Sequence, residues 1–387
     1  MKVATNMPKK KQKTSIEEQS IDTHRKLKGK KGAEYTYNKD MYKLLSEYGA
    51  KVVTTYLKEH PREMRALTNT KNTIAIVSDG SHVGGIGNVK SSEILPTLEG
   101  KVALIENIAD IYAQPVVCNT QNRRELQFII ENTCASYGGV LLDSIAAPKC
   151  FEVERMLKES LHVPVIQSSD CLAIATLGGL INALSLTKKS ITNTHVAVLG
   201  AGANGISIAK LLTKYGIGDV VVVDRDGIIS SLRTNISGEK EALAHYTNRE
   251  GRTGGTIEAI TGADVLIGTI QTGLDLSKYI KMMAQKPIFF ALAEPVPEIL
   301  PREAKNAGAE IVATQSISYP NHISNAHVIP GIARGIVEHD LKQITQDLMV
   351  RIAESLAGLV KNPTQNKLLP TIFDRRVVST LTKACEK

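Results

Sequence analysis

The 387-residue sequence predicts an α/β protein of two domains, the C-terminal one built on a doubly wound parallel sheet. Three observations predict it. Short apolar runs alternate with amphipathic stretches along most of the chain. A glycine-rich turn at 200–205 joins an apolar strand to a helix. A second glycine-rich turn, SDGSHVGGIGN, closes the strand read at 73–77.

The elements follow in order. Residues 1–20 are rich in Lys, Thr and Gln and read as a mobile tail. From 38 to 67 the pattern is helical, with Leu44, Leu45, Tyr48, Val52, Val53 and Tyr56 on one face and a break at His60-Pro61. After the strand at 73–77, LEGKVAL suggests another strand over 102–105. A helix is expected over 121–136, then the apolar run GGVLL, an amphipathic helix within 143–161, a short strand at 163–166 and a small-residue helix over 171–186. The second half opens at His195 with strand, turn, helix and strand. Further strands are expected at 264–268, 287–292 and 310–313, and helices past 336, broken at Pro363 and Pro370. The domains are therefore drawn as a tail (1–20), an N-terminal domain (21–186), a dinucleotide-binding domain (187–360) and a helical tail (361–387).

Composition narrows the function. The formal charge of +8 is unevenly spread: residues 1–32 carry ten basic and three acidic residues, and the remainder is close to neutral. The body gives no electrostatic reason to expect nucleic acid. No run is apolar enough to read as a membrane span, and the N-terminus lacks the apolar core of a secretory signal. Five scattered Cys without a CxxC pair fit reduced thiols in the cytoplasm.

Gly200, Gly202, Asn204 and Gly205 lie in a G-x-G-x-x-G turn between strand and helix, and Asp224 closes the next strand. This is the Rossmann dinucleotide fingerprint. The glycines let a pyrophosphate approach backbone N–H groups at the helix N-terminus, and the acid receives the ribose hydroxyls. Asp224 favours NAD, and Arg225 beside it leaves NADP open. Gly268, ending a later strand, joins the cofactor set.

The chain also resembles the malic enzymes of the short microbial kind. THRKLKGK (23–30), IAIVSDGSHVGGIGN, LEGKVAL, SIAAPKCFEVE, VLGAGANGISIAKLL, FALAEPVPEILPREAKNAGAEIVAT, YPNHISN and PGIARG resemble family motifs in family order. The resemblance implies a two-domain fold with the site in a cleft. It also implies oxidative decarboxylation of malate to pyruvate with NAD(P) and Mg²⁺ or Mn²⁺, in a homodimer. Lys101 stands at the family's catalytic lysine, where a partly dry cleft would suit it as a base. The family's catalytic tyrosine falls on Ser46, which leaves Tyr48 as the nearby phenol. The three metal carboxylates reduce to Asp143 and Asp170, less oxygen charge than a hard divalent cation ordinarily takes. The substrate asparagine becomes Glu294, while Asn325 keeps one of a second pair. Cys171 lies inside the rewritten metal segment. The losses cluster where malate and metal would bind, and the folding and dinucleotide motifs are intact. The sequence thus also admits a metal-independent NAD enzyme for another hydroxy or amino acid, or a non-catalytic NAD-binding homologue.

Overall fold

A computed structural model describes residues 15–27, 37–236, 238–270 and 275–386. The basic residues of 1–13, and Lys28 and Lys30 of the 23–30 arm, lie outside that set. The chain divides into two compact units, 1–73 and 74–387.

The first unit is helical: Ile16–Leu27, Lys39–Leu45, Glu47–Glu59 and Met64–Leu67. Residues 16–20, expected to be mobile, belong to the first of these. Asn38 starts the second by accepting from the backbone N–H of Asp40 and Met41. The helical stretch ends at the expected His60-Pro61 and has a further break at Ser46, and Val53 is the residue of that face that is buried. Glu63 ties helices together, accepting from Arg25 Nη2 at 2.6 Å and from the Tyr56 hydroxyl at 2.7 Å.

Among the described residues, the second unit holds two sheets. The strands of the first are β1 (Thr73–Ser78), β2 (Tyr112–Val117), β3 (Gly139–Leu142) and β4 (Val165–Gln167), in the order β2-β1-β3-β4. The second sheet comprises β5 (His195–Leu199), β6 (Asp219–Asp224), β7 (Gly227–Ile228), β8 (Val265–Gly268), β9 (Ile288–Ala291) and β10 (Ile311–Thr314), in the order β10-β9-β8-β5-β6-β7. Neighbours in it pair in parallel except β6 with β7. Strands β8, β9 and β10 are buried along their whole length, which is why they read as continuous Val/Ile/Phe/Ala runs. The order reverses between β5 and β8, so the crevice beyond their C-terminal ends is the topological switch point.

One expected strand is a helix. Val102–Ile105 lies inside Leu95–Ala109, which starts with Pro96 in its first turn and buries Leu98, Ile105 and Ala109 on one face. VALI fits either period; the flanking spacing decides it. Conversely β2 was not foreseen, because Gln114 and Pro115 interrupt its apolar pattern.

The helix Ser168–Thr187 follows β4 and is the element around which this unit packs. The sequence offered no run apolar enough for a membrane span; among the described residues this helix does meet that length and composition, and 78% of its apolar window is buried inside the protein. Gly178 and Gly179 let neighbours approach closely: a Cβ at Gly178 would meet Ala353 O at 3.1 Å, and one at Gly179 would overlap Ile323. Asn182 is its buried polar anchor. The Nδ2 group donates to Ala357 O (3.0 Å) and Leu368 O (2.8 Å), pinning the C-terminal segment. Asn182→Ala removes both bonds and leaves the Leu368 carbonyl without its donor, while Ala357 O keeps Val360 N (3.1 Å), so a loss of about 1–3 kcal/mol is expected. A urea unfolding curve checks it; an unchanged midpoint would show that the anchor does not matter.

Candidate active site

Loops at the C-terminal ends of β1, β3 and β4 carry the polar groups. The carboxylate of Asp143, immediately after β3, is 1% exposed. Lys101, on the helix Leu95–Ala109, brings Nζ to 2.7 Å from Oδ2. The Ser144 hydroxyl donates to Oδ1 at 2.7 Å, and Ser168, first residue of the long helix, adds a further hydrogen bond. Burial alone would push the Asp143 carboxyl up; Lys101 and the two hydroxyls outweigh it and hold the carboxyl below its usual range. Ser144 adopts a left-handed backbone (φ +52°), a conformation unusual for a residue with a Cβ. Asn325 Nδ2 donates to Ser168 Oγ at 2.8 Å. Lys101, Asp143, Ser168 and Asn325 therefore form one connected network.

Glu294 joins it electrostatically. Its carboxylate lies against Gly84, in the β1 glycine turn, where a Cβ would sit 3.3 Å from Oε2. Water reaches one flank of the side chain, but the surrounding protein raises its carboxyl pKa. Lys101 opposes that rise and Asp143 adds to it. A second ion pair on the same rim joins Lys149 to the buried Asp79. Asp79 Oδ1 also accepts from the Ser81 backbone N–H (2.9 Å) and hydroxyl (2.6 Å), and Ser81 Oγ accepts from Ala146 N. This ties the β1 loop to the loop after β3.

The other site candidates have partners of their own. Asp170 accepts from the Ser207 hydroxyl at 2.8 Å. Burial, then the nearby Glu154, pushes its carboxyl up to about 7, against the pull of Lys158 and Ser207. Tyr48, in the N-terminal unit, is 54% exposed and donates to Glu17 Oε1 at 3.3 Å, so its side chain is not a core aromatic. Ser46, at the tyrosine position of the resemblance, is 2.6 Å from the hydroxyl of Tyr37. Cys171 is fully buried, and burial raises its thiol far above the ordinary range.

The donors around Asp143 are already committed. Both oxygens of Asp143 are engaged, one by Lys101 and one by Ser144, and Asp170 serves Ser207. Among the described residues, Asp143 belongs to no group of three ligating side chains close enough to share an ion. The residues present do not fit a metal held by several carboxylates.

The dinucleotide turn has the expected geometry. Gly200 takes φ +111°, and a Cβ at Gly205 would overlap the Gly200 carbonyl, so strand and helix meet at backbone contact. Gly202 is the N-cap of the helix Ala203–Tyr215 and faces open space, where N–H groups can receive an anion. Asn204 sits in that helix's first turn. Thr269 closes the turn's floor, donating from N and Oγ1 to Leu199 O, each at 2.9 Å. Gly268 is required by Glu298, whose carboxylate occupies the place of a Cβ. That carboxylate accepts from Ile270 N (3.2 Å) and Ala293 N (3.1 Å), and burial pushes it to about 7.

Asp224 differs from expectation. It is not open toward a ribose: it accepts from Arg233 Nη1 (2.8 Å), Lys240 Nζ (2.6 Å), Asp226 N (2.9 Å) and, more weakly, Arg233 Nη2 (3.4 Å). Burial raises its carboxyl, and the two cations reverse the sign and lower it. Arg225 is exposed beside it. Arg233 and Lys240 were not foreseen, because they lie in a polar segment without a motif.

Residues 166–384 match the family model described as malic enzyme, NAD binding domain. The chain is 34% identical to the bifunctional malic/malolactic enzyme of Bacillus subtilis (strain 168), over 96% of this chain and 93% of that protein. It is 34% identical to the NAD-dependent malic enzyme of Geobacillus stearothermophilus, over 87% and 71%. The chain belongs to the malic enzyme family. Its fold overlays the crystal structure of the NAD-dependent malic enzyme from Thermotoga maritima with a TM-score of 0.88 at 35% identity, covering 95% of this chain and 98% of that one. The NADP-dependent malic enzyme of Halomonas elongata is 33% identical over 82% and 75%. The C-terminal part is thus a Rossmann-type NAD(P)-binding domain, and the chain is an oxidoreductase of malic-enzyme type.

The position of Asp170 has a pH consequence. Its folded pKa is raised, so the stability it contributes is present at low pH and lost as pH rises toward 7. Asp170→Asn removes that loss and keeps an oxygen for Ser207. Relative to the parent, the variant should gain about 1–2 kcal/mol between pH 5.5 and pH 8. Urea unfolding at the two pH values reads this; a constant difference would place the Asp170 titration elsewhere.

Proposed function

We propose that this protein is an NAD(P)-dependent oxidoreductase that oxidises, and decarboxylates, malate or a related 2-hydroxy acid through Lys101 without a divalent metal. The observation that carries the reading is the Lys101–Asp143 pair, linked through Ser168 to Asn325. Lys101 Nζ, which water still reaches, first releases a proton to solvent; hydride then leaves C2 of the substrate for the nicotinamide while the neutral amine takes the 2-hydroxyl proton. The ammonium so formed stands at the new carbonyl oxygen, beside the carboxylate that orients it. There it stabilises the enolate left when CO₂ departs. Asn325, held by Ser168, supplies a neutral donor for a substrate carboxylate. We place the enzyme in the cytoplasm as a homodimer of two-domain subunits, divided after 186. Five buried, unpaired cysteines support the reducing compartment.

We also propose NADP(H) as the preferred cofactor. The carboxylate that would receive the ribose hydroxyls of NAD already accepts four hydrogen bonds. Arg233, Lys240 and Arg225 outnumber Asp224 and Asp226 around it.

A second reading rests on Glu294. A carboxylate in place of a neutral amide repels a dicarboxylate substrate and suits one bearing an ammonium group. It favours a 2-amino acid substrate, or a protein that binds the dinucleotide without turnover.

The readings separate experimentally. With malate and NADP, turnover should fall at least ~100-fold in Lys101→Ala while NADPH affinity stays within about twofold. NADPH should bind about tenfold more tightly than NADH, and Arg233→Ala should erase the difference. Turnover of an amino acid in place of malate would favour the second reading. NADPH binding with no turnover of any hydroxy or amino acid would favour its non-catalytic form.

A further inference from the structure

The opposite ends of the same strands carry a cluster that the dinucleotide crevice does not use. His195 and Asp219 are the first residues of β5 and β6 and register partners across them. Glu250 reaches them from the loop after the helix Glu239–Ala244. That loop is stitched to β6, since Asn248 N donates to Val220 O (2.8 Å) and Arg249 N to Asp219 Oδ1 (2.9 Å). One ligating atom from each of the three side chains lies within 4.8 Å of the other two.

The polar accounting is incomplete without something between them. Asp219 is 4% exposed, and its Oδ2 has no hydrogen-bond partner. His195 Nδ1 is likewise buried and unpartnered, and stands 3.8 Å from Glu250 Oε1, beyond hydrogen-bond reach. Two orphaned polar atoms on adjacent strands are an unusual pairing in a folded protein. The neighbouring charges are spoken for. Arg252 Nε binds the other oxygen of Glu250 at 3.0 Å, leaving Oε1 toward the cluster. Asp264 is taken by Lys189 (2.6 Å) and the His195 backbone N–H (3.0 Å).

We propose that His195, Asp219 and Glu250 form a divalent transition-metal site, of the kind that takes Zn²⁺. One imidazole nitrogen and two carboxylate oxygens are a borderline donor set suited to Zn²⁺, with water completing a tetrahedron. Zinc–ligand bonds of about 2.0–2.2 Å place ligating atoms roughly 3.3–3.6 Å apart, so small side-chain rotations close the present spacing. About 13 Å of β5 lies between this site and the glycine turn. The ion acts as a staple joining two strands and a loop, and it takes no part in substrate chemistry.

Metal-stripped full-length protein titrated with Zn²⁺ by calorimetry tests this, with thermal unfolding read in parallel. The expected result is one equivalent bound and a raised unfolding midpoint. His195→Ala and Glu250→Gln should each weaken binding at least tenfold and abolish the shift. Glu250 is half exposed, so its variant should melt like the parent without metal and decides the matter if His195→Ala fails to fold. Absence of stoichiometric binding, or binding unchanged in Glu250→Gln, would overturn the proposal.

Discussion

A carboxylate buried at the end of a strand must be compensated, and Asp143 sets that condition here. Removing a carboxylate from water costs several kcal/mol unless charge and hydrogen bonds replace the solvent. The chain supplies them from three directions: Lys101 from a helix, Ser144 from a strained neighbouring residue and Ser168 from the start of the long core helix. Asn325 enters the same arrangement through Ser168. The cationic partner of this carboxylate is a lysine of the chain, and that choice determines what the site can do.

The two ends of the unit follow a common logic in which existing cations satisfy the conspicuous acids. Asp143 is paired with Lys101, Asp79 with Lys149, and Asp224 with Arg233 and Lys240. At the dinucleotide crevice the glycines retain their purpose, because Gly205 and Gly268 are packed where any side chain would collide. Asp224, which lies between them in sequence, is committed to cations of the chain. Asp143 has both oxygens engaged by the chain, and Asp224 is held by Arg233 and Lys240.

Much of this was legible in the sequence where local pattern and tertiary position coincide. Strands β5, β6, β8, β9 and β10 announced themselves as buried apolar runs, and the glycine turn announced itself by spacing. The family motifs carried Lys101, Asp143, Glu294 and Asn325 to one rim, although Lys101 rides a helix and not a strand. What stayed hidden depends on contacts distant in sequence. Arg233 and Lys240 reach Asp224 only because the chain folds back after β7. Ser168 is visible as a serine, but its place between Asp143 and Asn325 is not. Asp170 stands two residues after Ser168, but the helix beginning there turns it toward Ser207.

On the proposed function, Lys101, paired with Asp143, does the work that a divalent ion does when carboxylates hold one. The most direct measurement is the steady-state rate with malate and NADP in excess chelator, compared with the rate in Mg²⁺ or Mn²⁺. Equal rates within about twofold are expected. A rate that vanishes in chelator and returns with Mn²⁺ would contradict it.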